Sequence, residues 1–401
     1  MDDQEVQAVL RVLNSRSPFR YYGVDLQNET SEFEKEFAHF IGSFYAVAIS
    51  SGTGALYTAL SALRVGPGQE VIMPAYLWAS VISAVVNHGA IPVIADIDST
   101  FGLDPLAVEQ RINERTTGII ITHMSGAAAN VKAIRELARK RGLFLVEDCA
   151  QCAGGSVEGQ RVGTYGDIGV FSFQLNKNMT AGEGGCLVTS NSGLYERAVA
   201  CHDLGYPRDS YGRLMCNVPS TDLCWGMGYR LDELRAAVLR VQLRKLPRAI
   251  AAMHSSKYRI RAELEMVAGV QLRGIIDPAG DTGAFLITIY PDAATAREIS
   301  MALRAEGFQS RSQASNIVMT DWGLHLYYNN LNLLAQASTD RRGFPWTYPG
   351  NSGERSYAKG TCPIADDLFA RSILLPIPSC LTAKDEDDII EAFHKVLGTL
   401  L

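Results

Sequence analysis

The sequence predicts an α/β protein in which one large domain, built on a mostly parallel sheet, is followed by a smaller α+β domain. Three observations carry this. Between about residues 45 and 190, strand-like and helix-like segments alternate, the pattern of a parallel sheet covered on both faces. A long amphipathic stretch, LDELRAAVLRVQLRKL, then reads as a helix ending near residue 246. From about residue 249 the regular alternation stops. With 401 residues the chain is long enough for more than one core. The expected division is an N-terminal helix or arm over 1–20, a large domain over 21–248 and a small domain over 249–401.

The elements follow in order. MDDQEVQAVLRVL is acidic and amphipathic, with no basic start and no uninterrupted apolar run, so it reads as a helix and not as a signal peptide. YAVAIS precedes the helical TGALYTALSALRV, EVIMP precedes LWASVISAVVNH, and IPVIADI precedes LDPLAVEQRIN. GIIIT, the helix VKAIRELARKR and the strands LFLVED, DIGVFSF and CLVTS complete the large sheet. Beyond 249 come helices, the strand-like AFLITIY and the helical AATAREISMALRAEGF. The polar, glycine-rich and aromatic stretch from about 312 to 361 reads as an ordered loop bordering the site.

Composition narrows the function. The chain is 47% hydrophobic and 20% charged with a formal net charge of -6, and it has no Lys/Arg-rich block, which argues against a nucleic-acid partner. GIIIT and FLITIY are far too short to span a bilayer, so the expectation is a cytoplasmic protein with no membrane partner. Among eight cysteines, Cys149 and Cys152 form a CxxC. No second CxxC or Cys/His cluster completes a zinc site, and the context of a redox motif is missing. The cysteines read as small buried apolar residues, and no metal is expected.

Ligands of parallel sheets bind at the carboxyl ends of the strands. Those ends carry SSGTG (50–54), PAYLW (74–78), THMSG (122–126), EDCAQ (147–151) and FSFQLNKNMTAGEGG (171–185). Lys177 in the last of these is either a solvated loop lysine or an amine nucleophile held in a pocket. Asp148 is either a cap or loop charge or the ion partner of a protonated ring nitrogen. Enzymes that use pyridoxal 5'-phosphate (PLP) need such a carboxylate, and a lysine to hold the aldehyde as a Schiff base. SSGTG opens a helix, so the amides of Gly52 and Thr53 and the hydroxyls of Ser51 and Thr53 either cap that helix or cradle a phosphate. Trp78 is either core or a plane for a pyridine ring to stack on. Tyr76, His123 at the end of GIIIT and His202 in ACHDLG are candidates for substrate contact, against the alternative of structural side chains.

Taken together, SSGTGAL, VIMPAYLWAS, GAIPVIADID, VEDCAQ, GDIGVFSFQLNKNMTAGEGG and YRLDELRAAVLRVQL resemble the DegT/StrS-type aminotransferases of PLP fold type I, which mostly act on nucleotide-linked keto-sugars and cyclitols. The resemblance runs from about residue 20 to 250 and resumes at CPIADDLFARSILLPIPSCLT (362–382). It implies an aspartate-aminotransferase-like fold with a seven-stranded sheet, a homodimer with shared active sites, and a role for each matching residue. Lys177 would bind the cofactor aldehyde and shuttle a proton. Asp148 would pair with the pyridine nitrogen, and Gln151 would bond the ring hydroxyl. Ser172, Ser51, Gly52 and Thr53 would hold the phosphate, and Trp78 would stack on the ring.

The resemblance implies an aminotransferase that passes an amine from glutamate or glutamine to a cyclic ketone, in antibiotic or polysaccharide biosynthesis. FSFQ…KNMTAGEGG also resembles 3-amino-5-hydroxybenzoate synthases, which dehydrate and aromatise an amino-cyclohexenone ring. Sugar-ring dehydratases of the family carry His in place of the lysine, so Lys177 speaks against that variant. A non-catalytic regulator with the same fold is a third reading, opposed by the joint presence of Lys177, Asp148 and Gln151. Two departures stand out. Gly228 occupies the position of an Asn that reaches the phosphate from the neighbouring subunit. The stretch from 325 to 361, with Tyr327, Tyr328, Trp346 and Tyr348, is longer and more aromatic than the family pattern.

Overall fold

A computed structural model describes residues 1–209, 211–217, 223–308, 316–351 and 355–401. In chain order the first part runs α1 (Asp3–Ser15), α2 (Glu29–Ile41), β1 (Tyr45–Ile49), α3 (Gly52–Ala62), β2 (Glu70–Pro74), α4 (Ala79–Asn87), β3 (Ile91–Ala95), α5 (Pro105–Arg111), β4 (Thr116–Thr122), α6 (Val131–Arg141) and β5 (Phe144–Asp148). A small hairpin of β6 (Ser156–Val157) and β7 (Gln160–Arg161) leads to β8 (Ile168–Ser172), β9 (Gly185–Thr189) and α7 (Ser192–His202). The long α8 (Glu233–Leu264) then passes to β10 (Gln271–Leu272), β11 (Phe285–Ile289), α9 (Ala293–Ala305), β12 (Ile317–Val318), α10 (Leu331–Leu334), α11 (Pro363–Ala370), β13 (Ser372–Pro376) and α12 (Ala383–Leu400).

Seven strands form the large sheet in the order β1-β9-β8-β5-β4-β2-β3. β3, β2, β4, β5 and β8 are parallel neighbours, and β9 runs antiparallel between β8 and β1. Strand alternation sorts the apolar side chains onto two faces. Leu145, Phe171 and Val188 meet α2, α5, α6 and α8 on one side, while Val146, Val170 and Leu187 meet α3, α4 and α7 on the other. With both faces covered, β2 and β8 are buried along their whole length, which explains their apolar centres, Val71–Met73 and Ile168–Phe171. Helix starts are set by side-chain caps: Ser51 for α3, Asp104 with Pro105 behind it for α5, Asn130 for α6 and Asp232 for α8.

The second sheet is antiparallel, in the order β10-β11-β13-β12. Leu286, Ile373 and Leu375 on one face pack against Ile260, Leu264, Ile299 and Phe393 from α8, α9 and α12. Ile287 and Leu374 on the other face belong to the same core as Tyr76, Met124 and Phe369. The small sheet is therefore seated on the large unit through shared apolar packing.

One sequence expectation is corrected here. The helix expected to end near 246 continues through Pro247 to Leu264, so the boundary drawn at 248/249 falls inside α8. Proline removes one helical hydrogen bond, but Leu246, Met253 and Ile260, seven residues apart, keep one apolar stripe buried on both sides of it. The stretch read as an ordered loop is only partly described, since 312–315 and 352–354 lie outside the described residues. The rest forms β12, α10 and short 3₁₀ turns. It is fastened to the end of β2: Leu77 N–H donates to the His325 carbonyl at 3.0 Å and Tyr327 N–H to the Ala75 carbonyl at 3.2 Å. Arg355 pairs with the buried Glu70. Trp346 packs near Tyr357 and Tyr327 bonds Asp366, and none of these four lines the cavity of about 920 Å³ at the carboxyl end of the large sheet. Among the described residues no helix is long and apolar enough to cross a membrane.

Candidate active site

A cavity of about 920 Å³ lies at the carboxyl end of the large sheet, where β1, β5 and β8 give way to loops. Ser51, Gly52, Thr53, Trp78, Asp148, Gln151, Ser172 and Lys177 all line it. Phe285, Ile317 and Trp322 enter from the small sheet and the segment after it.

The lysine loop is built on Phe173. Its ring packs edge-on against Phe33 and Phe37 of α2 at 5.6 and 5.4 Å, and burying such a ring contributes on the order of 2–3 kcal/mol. Its backbone closes the loop, donating to the Gly184 carbonyl at 2.8 Å and accepting from the Ala181 amide at 3.1 Å. Lys177 thus leaves a fixed base. Burial lowers its proton affinity below the usual lysine range, with the Asp148 charge opposing. Asp148 ends β5 at 3% exposure, and its Oδ1 accepts the Ala150 amide at 3.0 Å. Burial pushes its carboxyl up, and the Ala150 amide, Lys177 and His123 pull it down. Desolvation works against each charge, and each supplies part of the compensation for the other.

The start of α3 brings donors suited to an anion to the same cavity. The Ser51 hydroxyl accepts the Gly54 amide at 3.0 Å, and the first helical bond of α3 is Ala55 N–H to the Ser51 carbonyl. The amides of Gly52 and Thr53 precede that bond and border the cavity, at the positive end of the helix. Space there is tight. A Cβ on Gly52 would lie 2.6 Å from Ser172 Cβ, and one on Gly185 would lie 2.3 Å from the Ser51 carbonyl oxygen. Thr53 Oγ1 lies 2.8 Å from Ser80 Oγ. Asn178, also on the cavity wall, buries its Nδ2 with no protein partner. An anion with oxygen acceptors suits this donor set, and the residues therefore fit the phosphate of PLP, with Asp148 and Lys177 at the distance of another strand end.

Three expected substrate residues are not on the cavity wall. Tyr76 is fully buried and bonds Ser125 Oγ at 2.7 Å. His123 is fully buried, with Nδ1 accepting the Ala129 amide at 3.1 Å and Nε2 facing Glu147 at 3.1 Å. That Glu147 also accepts the amides of Gly163, Tyr165 and Gly166, so the buried trio His123, Glu147 and Cys149 is held together by ordinary hydrogen bonds. His202 is fully buried between the Val199 carbonyl, Arg20 and Tyr21. Burial first, and then Arg20, push its ring down to about 3. Cys149 and Cys152 are both buried free thiols, and burial raises both above the usual thiol range.

Among the wall residues not singled out from the sequence is His325. His325 stacks on Trp322 at 4.4 Å and 15° and tilts against Trp78 at 4.7 Å. Its Nδ1 is 2.8 Å from the Trp322 carbonyl and its Nε2 is 3.2 Å from Gln151 Nε2. Gly228 has φ +69° and open space around it, so an Asn, which tolerates that region, would also fit.

The DegT/DnrJ/EryC1/StrS aminotransferase family model matches residues 1–320. The 3-amino-5-hydroxybenzoate synthase of Amycolatopsis mediterranei is 38% identical over 253 residues, 62% of this chain and 62% of that protein. The L-glutamine:2-deoxy-scyllo-inosose aminotransferase of Streptomyces kanamyceticus is 34% identical over 413 residues, 98% of this chain and 92% of that protein. The alignments to the first three curated relatives span 51–62% of their lengths. A crystal structure of 3-amino-5-hydroxybenzoic acid synthase superposes with a TM-score of 0.81 at 27% identity, covering 100% of this chain and 97% of that one.

Proposed function

The chain belongs to the DegT/DnrJ/EryC1/StrS aminotransferase family, and from that membership we propose that it is a PLP-dependent enzyme moving the amino group of L-glutamine or L-glutamate onto the carbonyl of a cyclic polyhydroxylated ketone, a keto-sugar or a cyclitol, in secondary-metabolite or polysaccharide biosynthesis. The observation that carries the reading is the meeting of three features in one cavity: the lysine with lowered proton affinity, the buried carboxylate beside it and the helix-end cradle. The same reading takes the protein to be a cytoplasmic homodimer. Trp225, Val24 and Tyr211, at 95%, 90% and 78% exposure, offer apolar surface to a second copy.

When bound, PLP supplies an aldehyde and an electron-accepting ring. The chain does the rest. Lys177 Nζ, made easier to deprotonate by burial, is the nucleophile for that aldehyde and afterwards carries a proton between substrate and cofactor carbons. Asp148 would place its carboxylate against the ring nitrogen. The amides of Gly52 and Thr53, with the hydroxyls of Ser51, Thr53 and Ser172, bind the phosphate. Trp78 would offer a plane for the ring to stack on, and Gln151 would bond its hydroxyl.

The test is the visible spectrum of wild type and Lys177→Ala with PLP, before and after L-glutamine or L-glutamate. Wild type is expected to show a band that the amino donor bleaches, and the variant to lack the lysine-linked band. The synthase relatives favour a second reading, in which the same residues serve dehydration and aromatisation. A band that neither donor bleaches supports it. A protein that never develops a band is a regulator with this fold.

A further inference from the structure

We infer that His325 is a positioning residue for the cofactor: it holds the Gln151 side chain with an N–H, not an oxygen, aimed at the ring hydroxyl. This rests on the PLP reading above, while the arrangement of the protein groups is independent of it. Gln151 Oε1 accepts the Ser125 amide at 3.0 Å, which turns its NH₂ group toward the cavity and toward His325. Gln151 Nε2 then lies 3.2 Å from His325 Nε2. Two nitrogens attract at that distance only if one presents a lone pair. An amide nitrogen is always a donor, so the ring nitrogen must be bare. The other side of the ring agrees, because Nδ1 lies 2.8 Å from the Trp322 carbonyl and can only donate there. His325 is therefore the neutral Nδ1–H tautomer, and burial pushes it down to about 4, so it stays neutral at physiological pH.

The ring has little freedom to do otherwise. Trp322 and Trp78 pack on it, its backbone amide donates to the Trp322 carbonyl, and the backbone from its carbonyl to Tyr327 is pinned to residues 75–77. One Gln151 N–H is spent on His325 and the second remains for the cavity, which Gln151 lines. A ligand oxygen at that point must accept, and an oxyanion accepts best. His325 thereby favours the ionised ring hydroxyl without touching the reacting atoms. The same side chain joins the ring-stacking Trp78 to the ring-bonding Gln151, so the segment after the small sheet sets two cofactor contacts at once.

The experiment is a double-substitution cycle read by PLP affinity and by the position and pH midpoint of the bound cofactor's visible band. His325→Leu is expected to weaken PLP about tenfold, as for one lost hydrogen bond that orients another, and to shift the band. His325→Gln, which returns an acceptor at similar reach, is expected to recover most of both. In a Gln151→Ala background His325→Leu is expected to change neither further. Additive effects, or equal losses in His325→Leu and His325→Gln, overturn the proposal by reducing His325 to stacking. Nitrogen-15 spectra of the ligand-free protein supply a readout that needs no cofactor: a bare Nε2 is expected, and a protonated Nε2 overturns the proposal. Wild type that binds no PLP overturns the cofactor reading instead, and the ring tautomer still decides how Gln151 is held.

Discussion

Gly52 and Ser172 approach so closely that a methyl group on the glycine would lie 2.6 Å from the serine Cβ. The contact sets the first turn of α3 against the end of β8, so that Ser51, Gly52, Thr53 and Ser172 share one cavity wall. Gly52→Ala is expected to push these two segments apart and weaken PLP at least tenfold, with the far-ultraviolet dichroism unchanged. A titration followed by fluorescence checks it, and wild-type affinity in the variant would remove the cradle from the argument.

Asp148→Asn keeps the shape of the side chain and the Ala150 contact while deleting the charge. Turnover is expected to fall on the order of 10²-fold or more, as when a preorganised electrostatic partner is removed, while PLP still binds. Lys177 loses the charge that opposes its desolvation, so the pH midpoint of the cofactor band is expected to drop. Measuring both on one preparation separates a charge effect from misfolding.

Lys257 and Asp281 form an ion pair in which both side chains are nearly fully buried. The carboxylate also accepts from Tyr258 at 3.2 Å and from the Gly283 amide at 2.9 Å. Asp281→Asn strands the ammonium, and the expected loss is about 3–5 kcal/mol of stability. Replacing both residues with Met and Leu is expected to restore most of it, as read by urea midpoints.

His202 and His325 are both buried neutral, at about 3 and about 4 against an ordinary 6.5. Because their folded values lie below the unfolded one, protons bind the unfolded chain preferentially. Stability from these rings is intact above about pH 6.5 and falls as pH drops from there toward 4. His202→Gln, which keeps an acceptor for Arg20 and Tyr21, is expected to flatten that loss between about pH 7 and pH 5. Equal slopes for wild type and variant would refute the assignment.

Much of this site was legible from strand ends. Lys177, Asp148 and the SSGTG turn announce themselves because an apolar run stops at a polar or glycine-rich turn, and all border one cavity. The rule locates a turn but not the side to which each side chain points. Thr122 lines the cavity while His123, one residue on, is turned into the layer of Glu147. Asp148 and Glu147 divide in the same way. The stretch from 312 to 361 reads as bordering the site, and Ile317, Trp322 and His325 from it line the cavity, but nothing in the sequence singles out His325, whose place comes from pairing residues 325–327 with 75–77. From sequence the helix is expected to end near 246, and the buried stripe that carries α8 past Pro247 becomes visible only when the small sheet is there to cover it.

α8 also dictates when the chain can finish folding. Its first half covers Ala8 and Val12 of α1, and Glu233 accepts the first amides of α2 at Glu29 and Thr30. Its second half meets Phe393 and Val396 of α12, and Arg259 pairs with Glu386. The two ends of the polypeptide are clasped by one helix from the middle of the sequence. α1 and α2, made before α8, wait for it before this partner exists, and contacts over such separations form slowly. A cut at residue 248 passes through α8, so each part is expected to lose packing that the other supplies.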